Sequence, residues 1–256
     1  MKIAVAGKGG VGKTTLAGIL SHLARRDGKT VLAVDSDPDA NLADALGMPC
    51  DESSAIIPIS QQRGLIEERT GAKLKQFGQI FKLNPDITDV IDRFSTEYRD
   101  IHLLVLGAIE AGGSGCACPE NVFLRNLLSH ILLKRDEFVV VDMEAGIEHL
   151  GRGTARGVDL MAVVVEPTVR SVQTAQSIVK LAAQIGLQRI GFVGNKITGP
   201  EEKSFLVQSL GEERFLGFVP FLATVKEADR RETGPFDLLK DDEIEIYSSI
   251  YKRMMK

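Results

Sequence analysis

The stretch Gly7-Lys8-Gly9-Gly10-Val11-Gly12-Lys13-Thr14 has the spacing GxxxxGK[ST], between an apolar run at Ile3–Ala6 and a helical pattern over 13–26. In this strand–loop–helix context, a glycine-rich loop turns its backbone N–H groups towards phosphate oxygens. The N-terminus of the following helix adds partial positive charge. The stretch therefore predicts a binding site for a nucleoside triphosphate. Lys13 would reach the β- and γ-phosphates, and the Thr14 hydroxyl would bind Mg²⁺.

The rest of the chain alternates short β-branched runs with helical patterns. Most runs are continuously apolar, as in strands buried on both faces of a parallel sheet. We therefore predict an α/β fold, a single domain over 1–256 with a mostly parallel central sheet and helices on both faces. The predicted strands are Ile3–Ala6, Val31–Asp35, His102–Leu106, Phe138–Met143, Leu160–Glu166, Ile190–Asn195 and Phe215–Val219, and further helical patterns cover 122–134, 171–185, 201–209 and 241–255.

The region from about 48 to 100 breaks this alternation. It is polar, contains three prolines and has only a weak strand pattern, at Ile80–Leu83. We predict an irregular insertion of helices and loops at one edge of the sheet. It is either a surface excursion or a lid or partner-binding surface.

Composition excludes several classes of protein. The 31 Lys and Arg residues against 35 Asp and Glu residues give a net charge of −4, which does not favour nucleic acid. Apolar runs such as Leu160–Val165 are far shorter than the roughly 18 residues that a membrane span needs. Three cysteines are too few for a disulfide scaffold. We predict a cytoplasmic protein with neither a membrane nor a nucleic-acid partner.

Two acidic segments follow predicted strands. Val34-Asp35-Ser36-Asp37-Pro38-Asp39 ends the second strand, and Val139-Val140-Val141-Asp142 is a buried run that ends in an acid. Ligands of open α/β sheets bind at the carboxyl ends of the strands. Acids beside a triphosphate need a cation, and Mg²⁺ suits carboxylate ligands. Asp142 is expected to hold it through water, and Asp39 to cap a helix beginning near Ala40.

Gly112-Gly113-Ser114-Gly115-Cys116-Ala117-Cys118-Pro119 follows the third predicted strand and contains a Cys-x-Cys pair. Two such thiols in an extended loop can bind one soft metal ion, Ni²⁺ or Zn²⁺. Because a closed tetrahedral site needs four ligands, we predict that Cys116 and Cys118 share the metal with the same pair of a two-fold partner. Redox chemistry and core packing are the alternatives for this pair.

The longer stretch Lys8-Gly9-Gly10-Val11-Gly12-Lys13-Thr14-Thr15 resembles the deviant phosphate loop of the MinD, ParA and nitrogenase iron protein class. The resemblance implies a P-loop NTPase fold and an ATPase, with Thr15 in the nucleotide site. It implies that Lys8 reaches across an ATP-bound homodimer to the partner's phosphates. Asp37 would orient the attacking water, and Asp35 would support the network of Mg²⁺ and Lys13.

Asp142-Met143-Glu144-Ala145-Gly146 resembles the second switch segment of that class, in which Gly146 would donate its N–H to the γ-phosphate. Glu144 departs from the small residue expected there, which leaves its role open, and His149 is expected to be structural.

Asn195-Lys196-Ile197-Thr198 ends a predicted strand and differs at Thr198 from the guanine-reading NKxD. By the same resemblance, Asn195 contacts adenine and the backbone near Pro220 completes the pocket. ATP is therefore expected to bind in preference to GTP.

The phosphate loop, the cysteine loop and the segment from Asp142 to Leu150 together resemble the CooC-type nickel-inserting accessory ATPases of carbon monoxide dehydrogenase, a family with a sister serving acetyl-CoA synthase. The resemblance covers nearly the whole chain. It implies a metallochaperone in which ATP closes the dimer and hydrolysis releases the metal to a nickel enzyme client. Cys50 is expected to be incidental.

Two other functions fit the same fold. A MinD- or ParA-type partition or positioning ATPase would need a membrane-targeting C-terminal helix or a basic DNA-binding face. Here acids precede the terminal helical pattern, so we predict a helix that docks on the core through Ile244, Tyr247, Ile250, Tyr251 and Met254. An iron–sulfur reductase would take one cysteine from each of two loops, whereas Cys116 and Cys118 share one.

Overall fold

Parallel strand pairing dominates the molecule. The computed structural model describes residues 1–73, 79–107, 118–144 and 152–256. In this part of the chain, eight strands form one sheet in the order β3-β4-β2-β5-β1-β6-β7-β8, and only β3 is antiparallel to its neighbour. The strands are β1 (Lys2–Gly7), β2 (Val31–Asp35), β3 (Thr96–Tyr98), β4 (Ile101–Val105), β5 (Phe138–Asp142), β6 (Leu160–Val165), β7 (Ile190–Ile197) and β8 (Phe215–Pro220).

Helices cover both faces of this sheet, as predicted. They are α1 (Lys13–Arg26), α2 (Leu42–Ala45), α3 (Cys50–Ser53), α4 (Arg63–Thr70), α5 (Val90–Phe94), α6 (Pro119–Lys134), α7 (Arg152–Ala155), α8 (Val169–Ile185), α9 (Pro200–Leu210), α10 (Ala223–Arg230), α11 (Pro235–Leu238) and α12 (Asp241–Met254). Short 3-10 helices cover Ile59–Gln61 and Glu212–Arg214.

Alternation along the strands divides the core into two layers. Ala4 and Ala6 of β1 pack with α6 and α8, whereas Ile3 and Val5 pack with α1 and α12. Successive side chains of a strand point to opposite faces, so each strand contributes to both layers. This accounts for the continuously apolar runs in the sequence.

The terminal helix α12 docks on the core, as predicted. Tyr247, Ile250, Tyr251 and Met254 are buried against the layer that contains α1. Its apolar face is therefore covered by its own fold. Among the described residues, no helix combines the length and the hydropathy that a bilayer span requires.

The insertion at 48–100 lies at the β3 edge of the sheet, but its predicted strand was wrong. Ile80–Leu83 has no strand structure, and Ile80 is 98% exposed. The strand is β3 instead, joined to β4 by Arg99 and Asp100, whose φ angles are 49° and 57°. Two consecutive positive φ values are typical of a type I′ hairpin turn, and the lack of Asn or Gly concealed it.

The insertion is also more than a surface excursion. Ile59, Leu65, Ile66, Val90 and Ile91 are buried in the core layer that includes α6. Removal of this apolar surface from water stabilises the fold and attaches the insertion firmly to the domain.

Candidate functional site

The carboxyl ends of the central strands bring the predicted site residues together. Asp142 of β5 is in register with both Val5 of β1 and Asp35 of β2. The phosphate loop begins at Gly7, two residues after Val5. The loop and both acids therefore lie at one edge of the sheet, where open α/β folds bind ligands.

Gly12 shapes the end of the phosphate loop. It has φ 97° immediately before α1 begins at Lys13. A Cβ atom at this position would also overlap the side-chain amide nitrogen of Asn195. The conformation and the close approach both require glycine. The first N–H groups of α1 are thereby presented to the site, where they favour an anion.

Lys13 is 7% exposed, and its ammonium nitrogen lies 3.9 Å from Oδ2 of Asp37. Asp37 thus lies beside the lysine that is predicted to bind the phosphates. This pairing places the predicted water-positioning acid at the phosphate end of the site.

Asp35 holds the acidic loop, residues 36–41, in place. Its Oδ1 accepts from the Asp37 N–H at 3.1 Å, and its Oδ2 accepts from the Leu42 N–H at 2.9 Å. Burial raises the pKa of Asp35 to about 6, while these backbone hydrogen bonds lower it. The predicted capping role of Asp39 was wrong. The helix starts at Leu42, and Asp35 rather than Asp39 binds its first N–H.

Asp142 is fully buried, and in the described part of the chain neither carboxyl oxygen has a hydrogen bond of normal geometry. Burial raises its pKa to about 7, against the lowering effect of the Thr14 hydroxyl and of Lys13. An unpaired buried carboxylate is costly without a cation. Carboxylates of Asp35 and Asp142 with the hydroxyl of Thr14 form a donor set that suits Mg²⁺.

Ser36 connects the two acidic strand ends. Its N–H and its hydroxyl both donate to the Asp142 carbonyl oxygen, at 3.0 and 2.8 Å. The acidic loop is therefore fixed to the end of β5. No motif in the sequence marks this serine.

Residues from β6 and β7 contact the phosphate loop from the other side. The Asn195 amide donates to the Val11 carbonyl at 2.7 Å, and the Lys196 ammonium donates to the Gly10 carbonyl at 2.6 Å. Glu166, just after β6, lies 3.9 Å from the Lys8 ammonium and 3.6 Å from that of Lys196. Sequence reasoning missed Glu166 and Lys196, although both lie at strand ends on the ligand-binding edge.

A cavity of about 880 Å³ runs from the phosphate loop towards α10. Gly10, Gly12, Thr14 and Thr15 line one end, and Asn195 and Pro220 line its side. Phe221 also lines it and is 54% exposed. Thus the predicted base-pocket residues adjoin the predicted phosphate site. The Thr198 N–H donates to Glu202 at 2.6 Å.

Cys118 is the N-cap of α6, and its sulfur accepts from the Asn121 N–H at 3.4 Å. Because α6 joins the parallel strands β4 and β5, its N-terminus lies at the same sheet edge as the phosphate loop. Cys116 lies outside the described residues, as do Gly146 and His149. Cys50 is exposed and lines the cavity, while Glu144 is exposed beside the buried Met143.

Among the residues that the structure describes, no group of three or more His, Cys, Asp or Glu side chains could hold a metal ion. The shared cysteine site thus stays a prediction, since it needs Cys116 and a second chain.

The model of the CobQ/CobB/MinD/ParA nucleotide binding domain matches residues 2–236. The chain belongs to this family. The chain is 46% identical to the carbon monoxide dehydrogenase accessory protein CooC of Rhodospirillum rubrum, over 93% of this chain and 90% of that protein. It is also 49% identical to an ATP-binding protein of Methanocaldococcus jannaschii, over 86% and 85% of the two chains. These relatives identify it as a P-loop ATPase.

Solved structures of the same family confirm the fold. MinD of Pyrococcus horikoshii, complexed with Mg-ADP, superimposes with a TM-score of 0.67 at 19% identity and covers 100% of this chain and 96% of that one. A ParA family ATPase from Chlorobium tepidum gives a TM-score of 0.68 at 16% identity, covering 100% and 98%. At such identities the likeness shows the shared fold and nothing finer.

Proposed function

We propose that this ATPase is a metallochaperone that inserts nickel into an enzyme of the carbon monoxide dehydrogenase or acetyl-CoA synthase type. The observation that carries the proposal is the position of Cys118. It begins α6 at the sheet edge that bears the phosphate loop, two residues after a second cysteine. The high identity to a protein named as a carbon monoxide dehydrogenase accessory protein supports the choice of client.

In this proposal, the nucleotide site works through residues already in contact. Lys13 and the N–H groups from Gly9 to Thr15 bind the phosphates. The Thr14 hydroxyl binds Mg²⁺, Asp142 holds it through water, and Asp35 supports the network of Mg²⁺ and Lys13. Bound Mg²⁺ supplies charge neutralisation at the phosphates. Asp37 orients the attacking water, which its pairing with Lys13 favours because that pairing keeps the carboxylate at the phosphate end. Gly146 binds the γ-phosphate.

The position of Asn195 supports adenine as the base. One N–H of its amide binds the Val11 carbonyl, and the side-chain oxygen is an acceptor for the base. The exocyclic amino group of adenine can donate to that oxygen, and Thr198 stands where a guanine-reading site has an acid. Pro220 lines the same cavity and would contribute to the pocket for the base.

The metal is cargo in this scheme. Cys116 and Cys118 of two chains give four thiolates around one Ni²⁺ or Zn²⁺ at the two-fold axis, which completes a closed site. Lys8 of each chain reaches the partner's ATP, so nucleotide and metal both favour the same homodimer. Hydrolysis then removes one of the two ligands that hold the dimer together and frees the metal for the client.

The test is metal stoichiometry combined with molecular mass. The wild-type chain loaded with Ni²⁺ or Zn²⁺ should hold one ion per dimer, by elemental analysis and light scattering. Cys116→Ser with Cys118→Ser should lose the ion and the metal-dependent dimer while still binding ATP. Cys50→Ser is the matched control and should keep both properties. One tightly held ion on a monomer, or unchanged metal content in the double variant, would refute the shared site.

The partition-ATPase alternative gains no specific support. Its membrane-targeting variant would need the apolar face of α12, which is buried in the core. The iron–sulfur alternative would need a second ligand loop, but Met143 is buried and Glu144 is not a soft ligand.

A further inference from the structure

Two consecutive residues at the end of β7 fix two consecutive carbonyls of the phosphate loop. The Lys196 ammonium binds the Gly10 carbonyl, and the Asn195 amide binds the Val11 carbonyl. Since C=O and N–H of one trans peptide point in opposite directions, anchoring these carbonyls sets the directions of the Val11 and Gly12 N–H groups. The Gly12 N–H is a group that a phosphate loop uses to bind its ligand, and the Val11 N–H donates within the loop to the Lys8 carbonyl at 3.4 Å.

Lys196 reaches the loop from a strained backbone conformation. Its φ is 59°, in the left-handed region that lysine rarely adopts, and the pairing of β7 with β8 is irregular between Gly194 and Ile197. Such strain persists where the surroundings impose it, and it concentrates at functional sites. Here it turns the lysine side chain out of the strand and towards the loop.

Glu166 completes the arrangement from the neighbouring strand. Its two carboxylate oxygens lie near the ammonium groups of Lys8 and Lys196. It therefore links Lys8, near the start of the loop, to Lys196, the residue that anchors the middle of the loop. One acid between two lysines keeps their repulsion low beside a loop that already carries Lys13.

We propose that Lys196, supported by Glu166, is a positioning residue for nucleotide binding, which orients the peptide between Gly10 and Val11. The inference rests on the proposed assignment of this loop to the phosphates. It predicts that a substitution that relieves the strain at Lys196 weakens ATP binding without lowering the stability of the fold. A role in folding alone would change both properties in the same direction.

The experiment compares Lys196→Gly with wild type by ATP titration calorimetry and by urea unfolding. Glycine accepts φ 59° without strain but has no ammonium, so the fold should be equally or more stable. The ATP dissociation constant should rise about tenfold, the effect of losing one charged hydrogen-bond donor. Lys196→Met should lose binding equally without the gain in stability, and Lys196→Arg should recover part of the affinity.

Asp100→Gly is the matched control. Asp100 has φ 57° and one exposed ion pair, with Arg25, at the distant β3–β4 turn. Its replacement relieves a similar strain and should leave ATP affinity unchanged. ATP affinity within about twofold of wild type in both Lys196→Gly and Lys196→Met would overturn the inference. An equal loss in Asp100→Gly would overturn it as well.

Lys13→Ala distinguishes this inference from the function on which it rests. Lost ATP binding in Lys13→Ala, with normal binding in the Lys196 variants, rejects the positioning role alone. Normal ATP binding in Lys13→Ala rejects the phosphate-loop assignment and the inference together.

Discussion

Asp142 has no hydrogen bond of normal geometry within the described residues, although it is fully buried. The cause is functional in our interpretation, since a carboxylate without hydrogen bonds has both oxygens available for a cation. Burial raises its pKa to about 7, so ionisation of this acid costs more in the nucleotide-free fold than in the unfolded chain. The site is therefore a local source of instability that Mg²⁺ with nucleotide would remove.

We predict that Asp142→Asn stabilises the nucleotide-free protein at pH 8 and abolishes Mg²⁺-dependent ATP hydrolysis. Because the folded-state pKa is raised above 3.8, wild-type stability falls as pH rises from about 4 to about 7 and then levels off. A shift of this size costs a few kcal/mol at most, at about 1.4 kcal/mol per pKa unit. Thermal melts in EDTA at pH 5 and pH 8 should show the gain mainly at pH 8.

Asp39→Asn is the control for that experiment, because Asp39 is an exposed acid of the acidic loop. Its replacement should change neither the melting temperature nor its dependence on pH. An Asp142→Asn protein that melts below wild type at pH 8 would contradict the account of an unpaired buried charge.

For single residues, motifs of fixed spacing predicted which side chains the structure brings together. Lys13 with Asp37, and Asp35 with Asp142, come together in the structure. Glu166 and Lys196 were missed because their contact with the loop depends on which strands are neighbours. No sequence spacing encodes that β1 lies next to β6, or that β6 lies next to β7.

Elements were predictable where their patterns are long. The strands β1, β2 and β5 and the helices α1, α8 and α12 were found nearly to the residue. The short hairpin strand β3 was missed because its turn, Arg99-Asp100, lacks the residues that usually adopt positive φ. The position of α2 was misjudged because its first N–H is bound by Asp35, seven residues earlier in the sequence.

The element that links the cysteine loop to the core is α6. Its N-cap is Cys118, an unusual choice, because the sulfur is a weaker acceptor than a hydroxyl or a carboxylate. A metal-binding thiolate and a helix cap would thus be the same atom. Binding of metal at Cys118 should therefore change the capping of the first turn of α6 directly.

We predict that Cys118→Ser and Cys118→Ala separate these two roles. Serine retains a cap for the Asn121 N–H, so this variant should be at least as stable as wild type without metal. Alanine removes the cap and should be less stable than serine by about 1 kcal/mol. Urea unfolding measures both differences. Stabilisation by added Ni²⁺ or Zn²⁺ should disappear in the two variants alike, and its survival in either would exclude Cys118 as a metal ligand.

The whole molecule places the phosphate loop and Cys118 at one edge of one sheet. The phosphate loop follows β1, and Cys118 begins the helix after β4, with β2 and β5 lying between these strands. In one chain the proposed metal site would be incomplete, because a single Cys-x-Cys supplies two thiolates. A dimer that completes it and also admits Lys8 to the partner's nucleotide would make each ligand favour the binding of the other.

We predict that ATP tightens metal binding, that metal tightens ATP binding by the same factor, and that Lys8→Ala removes this coupling. The equality of the two factors follows from thermodynamic linkage and holds for any mechanism of coupling. The Lys8→Ala variant tests whether the coupling runs through the dimer. Without Lys8, each chain still has Lys13 for ATP and its cysteines for metal, but ATP no longer favours the dimer. Calorimetric titration of Zn²⁺ with and without a non-hydrolysable ATP analogue measures the factor.

Lys29→Ala is the matched control for Lys8→Ala, because Lys29 is similarly exposed, also pairs with an acid and precedes β2 at the opposite sheet edge. It should retain the full coupling. The Lys8→Ala protein should bind Zn²⁺ with the same affinity whether or not the analogue is present, and light scattering should show no ATP-dependent dimer. If the coupling persists in Lys8→Ala, nucleotide and metal communicate within one chain. Ser36, which joins the acidic loop to the end of β5, would then be the first residue to replace.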